Sequence, residues 1–428
     1  MTQSMSDRLL RLIGERTDEL VELTRDLIRI PTVNPPGDAY TDCAELIGRR
    51  LAARGFQVEY VRAEGVRGDS DKYPRTNVIA RIEGRGPGKC VHFNGHTDVV
   101  PAGKNWTVDP FGGEVRDGKV YGRGACDMKG GIAASIIAVE AILASGVPFD
   151  GALEISGTVD EESGGYGGVG YMAQKGYFSK PRVDHVIIPE PLNVDRVCIG
   201  HRGVWWAEIE TKGRVAHGSM PFLGNCAVRH MGAVLHRIEE ELIPRLASKR
   251  TTMPVVPEGA RQSTININSL HGGQREDRDG WPSPMVPDSC RMVIDRRYLI
   301  EEDPEEVKGE ITAILEDLRR TRPGFDYEMR EVLAFLPTMT DADAPVVRAV
   351  EAAIEAVLGR KAQQVVSPGT YDQKHIVRIG NLRDCIAYGP GILDLAHQPD
   401  EYVGIADMVH SAQVMAMAAL DLLGATKE

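Results

Sequence analysis

Helix-like and strand-like patterns alternate along most of the chain, and this alternation restricts the fold more than any other feature of the sequence. Short apolar runs bounded by turn residues predict strands, and apolar residues at helical spacing predict the helices between them. In the first half of the chain, we predict helices at 6–30, 42–53 and 128–143 and strands at 58–61, 77–82, 90–94, 152–159 and 185–188. Such an order is typical of an α/β fold with a mostly parallel sheet flanked by helices.

The middle of the chain follows a different order. The predicted elements there are strands within 197–211, a helix at 225–246, strands at 263–270 and 291–299, and a helix at 304–319. We interpret this as a β-α-β-β-α-β order, which predicts an inserted α+β domain of the ferredoxin-like kind. Helices at 345–358 and 404–423 then resume the α/β pattern. Because 428 residues exceed what one hydrophobic core usually serves, we predict a discontinuous first domain, 1–200 and 335–428, around an inserted domain, 201–334.

Composition and charge narrow the functional classes. Sixty-two acidic against fifty basic residues give a net charge of −12, which argues against a nucleic-acid partner. Polar residues interrupt the apolar stretch at 132–147, so we predict no membrane span. The seven cysteines include no C-x-x-C pair, and we interpret them as mostly buried thiols of a reducing compartment. Together with an amino terminus that lacks an apolar signal core, they favour a cytoplasmic location.

A histidine and an aspartate, His96 and Asp98, follow the strand predicted at 90–94. Residues two apart on a strand point to the same face, so an imidazole and a carboxylate emerge there together. A metal-binding imidazole commonly has a carboxylate beside it, which suits Asp98 as the group that orients His96. A polar turn at the end of a strand is the alternative interpretation.

Glycines surround Asp127 in the segment 121–131, at the entrance to the next predicted helix. The segment is similar to a dinucleotide-binding loop, but the third glycine of G-x-G-x-x-G would fall at Asp127. A carboxylate at that point would repel a pyrophosphate. Asp127 is therefore either the N-cap of the helix or a metal ligand.

Further candidate ligands lie near the ends of later elements. Glu161 and Glu162 follow the strand predicted from residue 152, and Glu190 lies between two prolines after the next strand. Adjacent carboxylates repel one another, so they either spread into water or hold a cation that leaves one neighbour free as a base. His397 lies in a polar turn before the last helix, where a lone histidine is usually structural.

Taken together, two histidines and three carboxylates near strand or loop ends form a coherent ligand set for two divalent ions. The predicted ligands are His96, Asp127, Glu162, Glu190 and His397. Two divalent ions carry four positive charges and the carboxylates cancel three, so the residual charge favours a developing oxyanion. The combined pattern predicts hydrolytic chemistry.

These segments, in this order and after Ile-Pro-Thr-Val-Asn-Pro-Pro-Gly at 30–37, give the chain a family resemblance over nearly its whole length. It resembles the two-zinc metallopeptidase family of acetylornithine deacetylase, succinyl-diaminopimelate desuccinylase, aminoacylase-1 and carboxypeptidase G. The resemblance implies a phosphorylase/hydrolase-like catalytic domain and two divalent ions per subunit. It also implies that Asp127 bridges the ions, with His96 and Glu190 on one and Glu162 and His397 on the other.

The resemblance assigns roles to further residues near the ions. Glu161 is implied as the general base, which takes a proton from the attacking water and delivers it to the departing nitrogen. Asp98 is implied as the residue that orients His96. The peptide bond after the bridging aspartate, between Asp127 and Met128, is expected to be cis.

The inserted domain is implied to be a lid and dimerisation module, so we expect a homodimer, with larger homo-oligomers as an alternative. In the segment 214–221, His217 matches the histidine that stabilises the oxyanion in relatives, often across the dimer. Asn266 and Arg297 align with groups that grip a substrate carboxylate. An ordinary salt bridge is the alternative interpretation for the neighbouring Arg296.

The chain departs from many relatives at 368–375, where Pro-Gly-Thr-Tyr-Asp-Gln-Lys-His replaces G-G-T-S-D-G-R. Tyr371 and Lys374 stand in place of smaller or bidentate groups, and we predict that both contact the substrate. The substrates of the named relatives therefore do not transfer directly to this chain. Trp205 and Trp206 form an aromatic wall of the substrate pocket or, more commonly for tryptophans on a strand, pack in a core.

We predict a metal-dependent hydrolase of carbon–nitrogen bonds that removes an acyl group from a small, carboxylate-bearing amino acid derivative. The alternative keeps the metal site but releases ammonia from an aromatic, anthranilate-like or ureido amine, and Tyr371 and Lys374 motivate it. A third hypothesis is a metal-binding protein that has lost catalysis. The presence of Glu161 argues against it. Zinc is the default metal, and the ligands also accept cobalt and manganese.

Overall fold

A computed structural model describes residues 3–273 and 283–425. The chain divides into two compact units. The first contains residues 1–200, 339–365 and 371–428, and the second contains residues 201–338 and 366–370. The segment 366–370 belongs to the second unit, although the sequence analysis assigned it to the catalytic domain.

The helices agree in position with most of the predicted ones. They are α1 (Gln3–Glu15), α2 (Thr17–Arg29), α3 (Tyr40–Ala52), α4 (Gly130–Ser145), α5 (Tyr171–Gln174), α6 (Ala227–Arg237), α7 (Ile243–Ser248), α8 (Pro304–Thr321), α9 (Pro345–Leu358), α10 (Gln373–Arg378) and α11 (Ile405–Leu422). The single opening helix predicted at 6–30 is wrong, because the chain breaks at Arg16 into α1 and α2. The helix predicted at 225–246 is confirmed, because α6 continues into α7 through a π-helical turn at Ile238–Leu242.

The strands include the predicted ones, the ten-residue β12 that the sequence analysis did not locate, and several short ones that periodicity did not reveal. They are β1 (Gln57–Arg62), β2 (Thr76–Glu83), β3 (Cys90–His96), β4 (Glu114–Arg116), β5 (Lys119–Tyr121), β6 (Ala152–Thr158), β7 (His185–Ile188), β8 (Arg196–His201), β9 (Gly203–Lys212), β10 (Thr264–Gly272), β11 (Ser289–Tyr298), β12 (Asp326–Phe335), β13 (Thr338–Met339), β14 (Gln363–Ser367), β15 (Cys385–Ala387) and β16 (Tyr402–Gly404). The unforeseen β4, β5 and β16 form a small sheet of their own.

The large sheet confirms the α/β prediction, with one correction. Its strand order is β1-β2-β6-β3-β7-β15-β8-β13, with β14 paired to β8. The centre, from β6 to β15, is parallel, but β1, β2 and β8 pair antiparallel with their neighbours. The sheet is therefore mixed rather than mostly parallel, because direct returns of the chain add antiparallel strands on both sides of the parallel centre.

Helix α4 lies in the core of the first unit. Apolar residues lie all around it and Glu140 is its one charged residue, which is typical of a helix surrounded by protein. Within the described residues, Ala125–Ser145 is the one stretch long and apolar enough to cross a membrane, but 89% of its apolar window is buried inside the structure. A Cβ on Gly131 would lie 2.0 Å from the carbonyl oxygen of Pro189, so glycine allows α4 to approach the loop after β7.

The second unit has the predicted β-α-β-β-α-β order. The strands lie in the spatial order β12-β9-β11-β10, and every neighbouring pair is antiparallel. This is the ferredoxin-like arrangement. Helices α6 and α8 and the inward faces of the strands share one core, which contains Trp205, Ile294 and Leu315. Trp205 is therefore a core residue, and the aromatic-wall interpretation is wrong for it.

Candidate metal centre

Neighbouring strands of the large sheet carry three of the predicted ligands to one edge. His96 is the last residue of β3, Glu162 follows β6, and Glu190 follows β7. Because β6, β3 and β7 run parallel, their carboxyl ends meet at the same edge. Asp127 lies in the turn before α4, and its peptide bond to Met128 is cis, as expected.

His397 reaches this edge from the other end of the chain. Strands β5 and β16 pair antiparallel, with Tyr121 opposite Tyr402. This pairing brings the turn before β16, which carries His397, beside the turn that carries Asp127. The small sheet was not predicted, because its strands are too short to show a period.

Among the described residues, two groups of side chains could each hold a metal ion, and they share Asp127. In the first group, His96 Nε2 lies 3.0 Å from Asp127 Oδ1 and 3.9 Å from Glu190 Oε1. In the second group, His397 Nε2 lies 3.5 Å from Asp127 Oδ2 and 3.0 Å from Glu162 Oε1. One oxygen of Asp127 therefore faces each group, as a carboxylate that bridges two ions would.

The spacing and chemistry of these atoms fit divalent metal ions. Within each group, all candidate ligand atoms lie within 4.8 Å of one another. Nitrogen and oxygen atoms bound at about 2.0–2.2 Å to a tetrahedral zinc ion lie about 3.4 Å apart, which is close to the distances found here. Each group offers three protein ligands, a number typical of catalytic sites, which leave a coordination position open.

Buried acids dominate the electrostatics of the site. Burial raises the pKa of Glu162 to about 7, and burial and the charge of Asp127 raise the pKa of Glu190 well above its usual value. Burial also opposes ionisation of Asp127, but hydrogen bonds from His397 and His96 outweigh it and lower the pKa of Asp127. Hydrogen bonds to Asp127 and Glu162 raise the pKa of His397 to about 10. The carboxylates thus require positive charge between them, which divalent cations can supply.

Asp98 is buried at the site beside His96, where its predicted orienting role would place it, and its carboxylate also binds the next loop. His96 Nδ1 lies 3.0 Å from the backbone carbonyl oxygen of Asp98 and 3.6 Å from its carboxylate, so the backbone orients the imidazole. The chain turns after β3, and the carboxylate points to the next loop. There it accepts hydrogen bonds from the backbone N–H groups of Glu161 and Glu162, both at 3.1 Å, and from the side chain of Asn34 at 2.8 Å. Asp98 therefore holds the loop that carries the predicted base.

The predicted substrate-binding residues Tyr371 and Lys374 are both buried and contact protein groups. Lys374 Nζ lies 2.7 Å from Glu161 Oε1, so the lysine is placed beside the predicted general base. Tyr371 donates from its hydroxyl to the carbonyl oxygen of Cys198 at 3.4 Å. Contacts of either residue with a substrate stay predictions.

The remaining predicted residues lie in the second unit. His217 is exposed, and its Nδ1 lies 2.8 Å from Ser219 Oγ. Asn266 is exposed on β10, and Arg297 forms two hydrogen bonds with Asp295 on its own strand. Their roles toward an oxyanion or a substrate carboxylate stay predictions.

Arg296, next to these residues, is fully buried and pairs with Glu302 at 2.8 Å and Glu310 at 3.0 Å. The salt-bridge interpretation of Arg296 is therefore confirmed.

Sequence reasoning missed several buried residues that support the site. Glu401 accepts hydrogen bonds from the turn that carries Asp127 and pairs with Arg123. Asp160, before the predicted base, accepts hydrogen bonds from Tyr40 at 3.0 Å and Arg75 at 3.1 Å. Both acidic residues lie close to predicted ligands in the sequence, Asp160 just before Glu161 and Glu401 shortly after His397, which was a local signal. Their partners are distant in the sequence and could not be identified from it.

The sequence and the fold are both similar to those of known proteins. Residues 92–421 match the peptidase family M20/M25/M40. The chain is 31% identical over 401 residues to a succinyl-diaminopimelate desuccinylase from Rhodospirillum centenum, covering 91% of this chain and 93% of the relative. It is 29% identical over 378 residues to an acetylornithine deacetylase from Myxococcus xanthus, covering 88% of this chain and 90% of the relative. The fold is similar to that of the di-peptidase Dug1p from Saccharomyces cerevisiae, with a TM-score of 0.82 at 18% identity over the whole of both chains.

Proposed function

The chain belongs to the peptidase family M20/M25/M40, and we propose that it is a two-metal hydrolase that removes an acyl group from the nitrogen of a small amino acid derivative. The observation that carries the proposal is the pair of ligand groups that share Asp127, with Glu161 beside them. The names of the relatives support the reaction class, since a desuccinylase and a deacetylase both remove acyl groups.

The protein groups divide the work of amide hydrolysis among them. When bound, two divalent ions polarise the substrate carbonyl and make water more acidic. Glu161 follows β6 beside the ligand Glu162, where its carboxylate can accept a proton from the attacking water and return it to the leaving nitrogen. Lys374 Nζ lies 2.7 Å from Oε1 of Glu161, so the lysine holds the carboxylate of the base in place. Asp98 accepts hydrogen bonds from the backbone of both glutamates, which fixes the position of the base Glu161 relative to the ligand Glu162.

Amide hydrolysis is favoured over the release of ammonia from an aromatic amine. Tyr371 and Lys374 motivated that alternative. Their hydrogen bonds to Cys198 and Glu161 explain the presence of both residues without an aromatic substrate. The names of the relatives also point to deacylation. An assay that detects both carboxylate and ammonia distinguishes amide hydrolysis from deamination directly.

Zinc is the metal that we propose first, because imidazole and carboxylate ligands in three-ligand sites suit it, with cobalt and manganese as alternatives. We also propose that the second unit acts as a lid and joins two chains into a dimer. The family resemblance of the segment that contains His217 supports this. A cytoplasmic location is proposed from the cysteines, all of which are free thiols.

The test is a hydrolysis assay of the metal-reconstituted protein against N-acyl amino acids and aromatic amines, with detection of carboxylate and of ammonia. We expect carboxylate release by the wild type and a loss of about 10²- to 10⁴-fold in Glu161→Gln, because the variant cannot accept a proton. Glu22→Gln, at an exposed glutamate of the same unit, is the matched control and should stay active. Ammonia release alone, or equal activity in both variants, would contradict the proposal.

A further inference from the structure

Arg123 is a buried arginine that the reaction as described does not use. Its side chain is 2% exposed and forms an ion pair with Glu401, which is fully buried. The guanidinium also lies 5.2 Å from the centre of the Trp106 ring. A buried ion pair gives little net stability on average, because burying the charges costs about as much as their attraction returns. The pair therefore invites a functional explanation.

The guanidinium of Arg123 binds the loop that carries His397. It donates hydrogen bonds to the backbone carbonyl oxygens of His397 at 3.2 Å and Gln398 at 3.4 Å, and to that of Ala102 at 3.3 Å. The planar fork of an arginine can reach several carbonyl oxygens at once, which a lysine cannot do with the same geometry. Arg123 thus connects the loop before β16 to the loop that follows β3.

The carboxylate of Glu401 binds the turn on the other side. Its Oε1 accepts hydrogen bonds from the backbone N–H groups of Cys126 at 2.9 Å and Asp127 at 3.1 Å, while its Oε2 pairs with Arg123. Asp127 belongs to both ligand groups, and His397 belongs only to the second. The ion pair of Arg123 and Glu401 therefore joins the segment of His397 to the segment of Asp127, although these residues lie 270 positions apart in the chain, 397 − 127.

The loop around His397 depends on such support. The side chain of His397 is 48% exposed, so packing does little to fix it. His397 and Asp400 both have left-handed backbone angles, φ 65° and φ 54°, which non-glycine residues adopt at a cost. Asp400 accepts hydrogen bonds from the N–H and the hydroxyl of Thr107, at 2.7 and 2.9 Å, which fixes the loop at a second point.

The first ligand group has different support. His96 is the last residue of a strand that is buried throughout, and Glu190 follows the buried strand β7. None of the hydrogen bonds of Arg123 among the described residues goes to either ligand. Because Glu401 keeps its own hydrogen bonds to the backbone of Asp127, a change at Arg123 should act mainly on the second ligand group.

We propose that Arg123 is a positioning residue for the second metal ion, through its hold on the His397 loop. The inference rests on the proposed two-metal function. It requires that loss of the guanidinium weakens binding of one ion and leaves the other in place. Partners of metal ligands typically contribute about 10- to 100-fold in metal affinity, and we expect a loss of that size.

The experiment is a titration of metal-free protein with Zn²⁺, by calorimetry and by metal counting after dialysis. Arg123→Met should bind one zinc ion with wild-type affinity and the other about 10- to 100-fold more weakly. In this it should mimic His397→Ala and differ from His96→Ala, which removes a ligand of the first group. Arg50→Met is the control, because Arg50 pairs with Glu19 and Glu140 in the same unit and touches no ligand.

Two further variants keep the test decisive if Arg123→Met folds poorly. Arg123→Met combined with Glu401→Gln removes the unpaired buried charge and keeps an acceptor for the N–H of Asp127. Arg123→Lys keeps the charge without the fork and should restore part of the lost affinity. Equal weakening of both zinc ions, unchanged binding of both, or the same change in Arg50→Met would overturn the inference. A wild type that binds no zinc, cobalt or manganese would instead overturn the proposed function.

Discussion

His375 should make the stability of the first unit depend on pH. Its ring is buried, and Nε2 donates a hydrogen bond to the carbonyl oxygen of Gly164, just after the loop of Glu161 and Glu162. Burial and the charge of Lys374 lower the pKa of His375 to about 4, despite the hydrogen bond. In the unfolded chain the pKa of a histidine is about 6.5. The folded protein therefore binds the proton more weakly than the unfolded chain does.

The sign and size of the effect follow from this difference in pKa. Because the folded state favours the neutral ring, its contribution is fully present above pH 6.5 and is lost as the pH falls towards 4. The full loss is about 3 kcal/mol, and about 2 kcal/mol of it falls between pH 7.5 and pH 5. Acidification should also loosen the loop that carries the base, since the protonated ring is costly to keep buried at Gly164.

The assay compares urea unfolding of the wild type and of His375→Gln at pH 7.5 and pH 5, both in the presence of a chelator. Glutamine can donate the same hydrogen bond to the carbonyl oxygen of Gly164, but it does not titrate. The titrations of all other groups are common to both proteins and cancel in the difference. Relative to the variant, the wild type should lose about 2 kcal/mol of unfolding free energy. Parallel pH dependence in the two proteins would refute the reasoning.

Three further substitutions test the site residue by residue. Asp98→Asn should lower kcat about 10- to 100-fold, because the N–H groups of Glu161 and Glu162 bind different oxygens of Asp98 and the amide replaces one of them by a donor; unchanged kcat in steady-state assays would contradict this. Lys374→Met should lower kcat by a similar factor with zinc stoichiometry retained, and Lys374→Arg should recover much of it; a rise in KM alone would mean that the lysine binds substrate instead. His217→Ala should lower kcat about 10²- to 10³-fold without loss of zinc if it stabilises the oxyanion, and a change below 10-fold would argue against that role.

The sequence predicted the members of the two candidate ligand groups because the relevant signals are local. His96, Glu162 and Glu190 all follow short apolar runs, and parallel strands bring their carboxyl ends to one edge of a sheet. The β-α-β-β-α-β order of the second unit was predictable for the same reason. The break at Arg16 was not, since apolar residues continue at helical spacing on both sides of it.

The supporting contacts were not predictable, because they join residues far apart in the chain. The carboxylate of Asp98 lies 3.6 Å from His96, but the sequence did not reveal that the loop at 161–162 also presents two backbone N–H groups to it. The pairing of Arg123 with Glu401 likewise depends on β5 and β16, which are too short to detect by periodicity. Long-range hydrogen bonding of this kind follows from the fold and leaves no spacing in the sequence.

The central claim is that two divalent ions bind on either side of Asp127. Anomalous X-ray diffraction from crystals of the zinc-loaded protein, measured at the zinc edge, tests it most directly. The account predicts two peaks about 3.5–4 Å apart, one beside His96 and Glu190 and the other beside Glu162 and His397. A single peak, or peaks away from Asp127, would contradict it.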